Sequence, residues 1–244
     1  MVRKPEQGSG VQVQSRWHPY SVLMKSIPIS SFSDFVEKAC SPLCDRRIFR
    51  GVSDKKHQLI PVIGRLQKFA KHSLPRLATE ERALLKKFRL EGARYVNGNL
   101  DTWEWLVLAR HHGLPTRLLD WTRNPLVSLY FAVVDCTETA AAVYAEDFNT
   151  TANTTTDPFN INAVCKVIPS HRADRVAAQA SVLSIHPNPH VAYTSKSLIR
   201  FTIRPKLKQV IRKSLQRCGY HQASLFPGLD GIAANISAVH SDYV

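Results

Sequence analysis

Acidic residues are scarce in this chain. Only 19 Asp and Glu stand against 33 Lys and Arg, a formal net charge of +14. That imbalance favours anionic partners: nucleic acid, a nucleotide or an acidic surface. A basic face neutralised by a partner subunit is the plainer alternative. The five cysteines, Cys40, Cys44, Cys136, Cys165 and Cys218, are an odd number and widely scattered. Cys40 and Cys44 fall one helical turn apart, but no second pair completes a zinc site. The reading is reduced thiols in a cytoplasmic protein with no metal. No apolar run approaches the roughly 18 residues of a membrane span, and the N-terminus has no apolar signal core. No membrane partner is therefore expected. Also missing are a Walker loop, HExxH, GxSxG and GxGxxG. Their absence weighs against kinase, serine-hydrolase and Rossmann chemistry.

What the chain does have is concentrated between Leu106 and Val133, LVLARHHGLPTRLLDWTRNPLVSLYFAV. Gly113 is placed to stop a helix at C′, and Pro115 biases Leu114 to an extended conformation. Thr116-Arg117-Leu118-Leu119-Asp120-Trp121 then crosses what should be the interior. Asn124 as N-cap and Pro125 at N1 open the next helix. Charges amid apolar residues must be paired or must face a site. Function is therefore sought here first.

The remainder reads as support. Residues 1–25 form an expected mobile arm, and 26–244 a single α+β domain with a helix-rich first half and a strand-rich second half. Ser31 or Ser33 caps a short helix to Ala39, and residues 46–52 read as a strand delivering Arg50 to its end. Thr79 is expected to cap a helix running to about Tyr95, and Asp101 or Thr102 the next one. Strands are expected at 163–168, 181–186 and 197–203. The polar tract Asp147–Asp157 is the longest loop signal. Lys206–Cys218 is an amphipathic basic helix closed by Gly219.

Four motifs together resemble the FRG domain of bacteria and phages, named for Phe-Arg-Gly. They are Phe49-Arg50-Gly51, the stretch His112 to Thr122 with Asn124-Pro125, Arg175 with Ala178-Gln179, and Leu225-Phe226-Pro227-Gly228-Leu229-Asp230-Gly231. The third departs from the family's usual Gln-Gly-Leu-Phe, having Ala180-Ser181-Val182-Leu183. The resemblance implies a toxin or phage-defence effector, with an antitoxin or defence-system partner. A more distant similarity links the aromatic-Arg-Gly strand end to ADP-ribosyltransferases. It implies a related fold, NAD as cofactor, and Arg50, Asp120-Trp121-Thr122 and Gln179 in the places of that family's arginine, Ser/Thr strand and Glu/Gln. The usual Ser-Thr-Ser is missing, and Ser181 stands where a catalytic Glu belongs.

Each candidate has two readings. Arg50 clamps a phosphate or ribose, or forms a structural pair with Asp120. Arg117 carries the same ambiguity. His112 is a general acid/base or a helix C-terminal cap, with His111 expected to be exposed. Trp121 stacks on a ring or belongs to the core. Gly51, Thr116, Thr122 and Asn124 contact a ligand or serve turns and caps, and Gln179 orients a hydroxyl or a water. Lys206, Lys208, Arg212, Lys213 and Arg217 bind nucleic-acid phosphates if they share a face. The resulting expectation is an NAD-dependent ADP-ribosyltransferase-like effector with catalytic Arg50, His112, Asp120, Thr122 and Gln179, acting on nucleic acid or another anionic macromolecule. A nuclease or nucleic-acid-binding module, and a non-enzymatic regulator, are the alternatives.

Overall fold

Seven strands make one mixed sheet in the order β1-β7-β4-β2-β3-β6-β5 in the computed structural model, which describes residues 24–41, 46–135, 138–169 and 174–241. The strands are β1 (Lys25–Ile29), β2 (Ile48–Val52), β3 (Leu118–Thr122), β4 (Ala141–Glu146), β5 (Cys165–Val167), β6 (Ser181–Ile185) and β7 (Ile199–Ile203). All neighbours pair antiparallel except β1 with β7. The weak point is central. β2 and β3 share a single register pair, Phe49 with Thr122, and diverge beyond it.

Among the described residues the helices are α1 (Phe32–Ala39), α2 (Val62–Arg65), α3 (Leu74–Gly92), α4 (Thr102–His111), α5 (Pro125–Val133), α6 (Asp174–Ala178), α7 (Pro205–Arg217), α8 (Gln222–Leu225) and α9 (Leu229–Ser241). They divide into two groups on one face of the sheet. Buried residues of α1, α5 and α7 pack with Phe49, Val143, Phe201 and Ile203 on one half. Trp105, Leu106 and Ala109 of α4, with Leu85 of α3, pack with Leu118, Leu183 and Ile185 on the other. The opposite face carries Ile48, Leu119, Trp121, Ala142 and Val182, and is covered by Leu59, Phe148 and Leu198 from loops. Period-2 alternation in β3 thus sends Leu118 and Asp120 to one face and Leu119 and Trp121 to the other.

Local chemistry explains most element ends. The Ser31 side chain caps α1, and Asp101 forms a capping box with Glu104 at the start of α4. Gly113, at φ +88, follows α4 in the left-handed conformation that glycine adopts without strain. Asn124 Oδ1 accepts from Leu126 and Val127 N–H at the start of α5, with Pro125 at N1.

Three expectations need correction. Helices and strands interleave rather than segregate, with β1–β3 in the first half and α5–α9 in the second. α3 begins at Leu74, with Ser73 in the N-cap position, so Thr79 lies inside it and donates to Pro75 O. No strand is expected before residue 46, yet Lys25–Ile29 is an edge strand; residues 1–23, and with them most of the expected arm, lie outside the described residues. The result is a single α+β domain. No helix among the described residues is long and apolar enough to cross a membrane.

Candidate functional site: an arginine-rich cleft at the split in the sheet

Where β2 and β3 part, a cleft of about 710 Å³ opens between the two helix groups. Its walls come from β2 (Arg50, Gly51), the end of α4 (Arg110, His111, His112), β3 (Asp120, Thr122), α5 (Ser128, Phe131) and α6 (Arg175), with Arg65 and Gln179 beside them. That volume lies within the range of small-molecule sites.

Asp120 organises the charges. Its carboxylate accepts from Arg110 Nε at 3.1 and 3.2 Å and is also bonded by Arg110 Nη2. Arg50 Nη1 donates to the Asp120 carbonyl at 2.6 Å and lies 3.7 Å from its Oδ2. The strand register puts Arg50 and Asp120 on opposite faces of the sheet, so their meeting requires the split. Burial pushes the Asp120 carboxyl up, but the charge and hydrogen bonds of Arg110, with Arg50, hold it below the usual carboxylate range. Desolvation lowers Arg50 to about 10 against the opposing pull of Asp120, and Arg110 and Arg65 add to the lowering. Arg65 and Arg175 are lowered for the same first reason, and both sense Asp120 and Arg110. Four guanidiniums therefore surround one carboxylate. Arg50 Nε and His111 Nε2 are buried without a hydrogen-bond partner among the described residues.

The expected site residues divide. Arg50, Gly51, His112, Asp120, Trp121, Thr122 and Gln179 line the cleft, whereas Thr116, Arg117 and Asn124 do not. Arg117 is buried with Glu81: Nε and Nη2 bond Oε2 at 3.0 and 2.6 Å, and the Arg117 N–H bonds Oε1. These bonds tie α3 to the start of β3. Thr116 Oγ1 accepts from Leu118 N, and Asn124 is the α5 cap, with Nδ2 donating to Tyr220 Oη. Trp121 packs edge-on against Phe148 in the core, and its Nε1 donates to Ser184 Oγ at 2.8 Å. Gly51 is explained by packing, because a Cβ there would fall 1.9 Å from Ser128 O of α5.

Several cleft-lining groups have partners inside the protein. Thr122 Oγ1 donates to Gln179 O at 2.7 Å and accepts from Asn124 N. Gln179 Nε2 donates to Leu225 O. His112 is exposed, with its ring 6.4 Å from Phe88. It is His111 that is half-buried in the cleft, lowered by desolvation and by Arg175, Arg110 and His112 against Asp120. Sequence reasoning passed over Arg65, Arg110, His111 and Ser128. The only available signal was helical spacing, which places Arg110 and His111 in the last turn before Gly113.

The basic helix also divides. Lys208 is buried and donates to Ser53 O at 2.7 Å, so it anchors α7 to the segment after β2 rather than meeting solvent. Arg212 is half-buried. Lys206, Lys213 and Arg217 are exposed and, seven and four residues apart, share one face.

Residues 45–141 match the family model of the FRG domain. The chain carries an FRG domain, and that span includes Arg50, Arg65, Arg110, His111 and Asp120. No curated protein and no solved structure matches the chain significantly.

Proposed function

We propose that this FRG-domain protein is a toxin or phage-defence effector. In this reading it binds NAD in the cleft and transfers ADP-ribose to an anionic macromolecule, RNA or DNA. One observation carries the reading: Arg50, Arg65, Arg110 and Arg175 outnumber the Asp120 carboxylate in a cleft of about 710 Å³. Guanidiniums left short of counter-charge in a partly desolvated site favour a phosphate-bearing ligand. The orphaned Arg50 Nε and His111 Nε2 leave further hydrogen-bonding capacity there. The donor set fits NAD, which supplies a ribosyl group on a neutral leaving group. The protein's task is then to hold the dinucleotide, limit water and accept the proton of the attacking acceptor. His111 and Asp120 are two of the proton acceptors that line the cleft, while Thr122 and the Gln179 backbone fix the floor between β3 and β6. The exposed face of Lys206, Lys213 and Arg217 supports an acceptor rich in phosphate.

The test incubates the protein with NAD labelled in its adenylate phosphate and with RNA, DNA or cell extract. Label appearing on a macromolecule supports transfer. Strand scission without NAD would replace this reading with phosphodiester cleavage, and neither outcome would leave a binding or regulatory protein.

A further inference from the structure

Two of the four cleft arginines are not committed to the protein. Arg110 and Arg50 are bonded to Asp120, whereas Arg65 and Arg175 make no hydrogen bond or ion pair among the described residues. Arg65 ends the short helix α2, whose Ile63 N–H donates to Thr116 O just before β3. Arg175 lies in α6, immediately before the turn into β6, with its guanidinium 4.6 Å above the Phe226 ring. Stacking on an aromatic face leaves the in-plane N–H donors of a guanidinium unused. Both side chains line the cleft, both feel the Asp120 charge, and both are repelled by Arg110. Two free forks lie beside the Arg50–Arg110–Asp120 cluster.

We infer that Arg65 and Arg175 form a two-sided clamp for a diphosphate, making the cleft selective for nucleoside diphosphates over monophosphates. A single phosphate has room for one bidentate fork on each pair of oxygens. Two linked phosphates offer each arginine its own oxygens and bring a second charge to offset the local cationic excess. Arg110 and Asp120 are then the fixed floor under the clamp rather than its jaws. The inference rests on the reading of the cleft as a phosphate-ligand site and names the ligand feature that the site selects.

Calorimetric titration of the full chain with ADP, AMP, adenosine and inorganic pyrophosphate tests it. The variants are Arg65→Gln and Arg175→Gln, with the exposed Lys87→Gln as a charge control. Loss of one charge-assisted fork is expected to weaken ADP and pyrophosphate about tenfold, and loss of both about a hundredfold. AMP should weaken less, and adenosine and the control variant should not change. Thermal unfolding of each variant separates lost binding from lost fold, and Arg175→Lys should recover only part of the affinity. Equal affinity for ADP and AMP, or ADP binding unchanged in both Gln variants, overturns the clamp. Pyrophosphate binding that the variants abolish, in a protein that ignores NAD, keeps the clamp and removes the NAD reading. No binding of pyrophosphate or ADP removes both.

Discussion

Arg50 Nη1 bonds the backbone carbonyl of Asp120 at 2.6 Å, joining two strands that otherwise share a single register pair. The bond therefore closes a gap that the sheet ladder leaves open. Asp120→Ala removes the only carboxylate among four cleft guanidiniums and is expected to cost about 2 kcal/mol. That figure lies between an exposed and a fully buried pair, because the Asp120 side chain is 40% exposed. Asp120→Asn should cost less, since the amide oxygen still accepts. Urea unfolding checks the order, and wild-type stability for Asp120→Ala would show that the cluster has no structural role. Because the folded Asp120 value is depressed, its contribution is complete above 3.8 and is lost as pH falls through the lower folded value.

A second pH effect lies beneath the cleft. His186 is buried, and Ser184 Oγ lies 2.8 Å from its Nε2 while accepting from Trp121 Nε1. Ser184 Oγ can donate to or accept from a neutral His186 ring, so burial of the pair disfavours only the charged imidazole. Desolvation, with help from Arg50, lowers His186 to about 4. The unfolded chain binds this proton below about 6.5 and the folded one only near 4, so stability falls as pH drops across that window. The loss approaches about 3 kcal/mol at the bottom. His186→Gln should flatten the denaturation midpoint between pH 6.5 and 4.5. A wild-type slope in that variant would assign the effect elsewhere.

Chain order alone made parts of this legible. Phe49-Arg50-Gly51 and Leu118–Thr122 each carry an apolar strand pattern broken by one charge, and both charges reach the cleft. Asn124-Pro125 announces a helix start because its chemistry is local. Arg117 looked equivalent to Arg50, however, and only the fold shows that Glu81, 36 residues earlier, takes it out of the cleft. His111 and His112 differ from their expected exposures for a similar reason. Adjacent helical positions differ by about 100°, and which one faces the cleft depends on how α4 packs on β3. β1 escaped notice because five residues containing a proline, on an edge, give little alternation to read.

Ala180 has φ +44, the single non-glycine residue with positive φ among the described residues. It lies in the turn that delivers Gln179 and Ser181 to the cleft, and its carbonyl accepts from Arg123 N at 3.0 Å. Left-handed backbone costs an alanine about 1–2 kcal/mol, partly offset by the extra unfolded-state freedom of glycine. Ala180→Gly, which restores the Gln-Gly order usual in the resembling motif, should therefore stabilise by about 0.5–1 kcal/mol. Thermal unfolding measures it, and a lowered midpoint would show that the alanine methyl has packing value exceeding the strain.

The last expectation separates proton chemistry from scaffolding within the cleft. Thr122 Oγ1 holds Gln179 O and Asn124 N together, so Thr122→Ala should lose about 1 kcal/mol for each bond, while Thr122→Ser keeps both. Its effect on activity should track the folded fraction. His111 differs, because its Nε2 is buried in the cleft with no hydrogen-bond partner among the described residues to lose. Desolvation, with the charges of Arg175 and Arg110, outweighs Asp120 and makes the imidazole harder to protonate than a free one. A neutral imidazole can accept the acceptor's proton, and protonation abolishes that capacity. The rate of label transfer should therefore rise with pH up to a value below 6.5 and level off above it. In His111→Gln the rate should be low and the limb absent, with the melting midpoint near wild type. His112→Ala should keep the limb, since that ring lies exposed beside Phe88. A limb that survives in His111→Gln and vanishes in His112→Ala would return the role to His112.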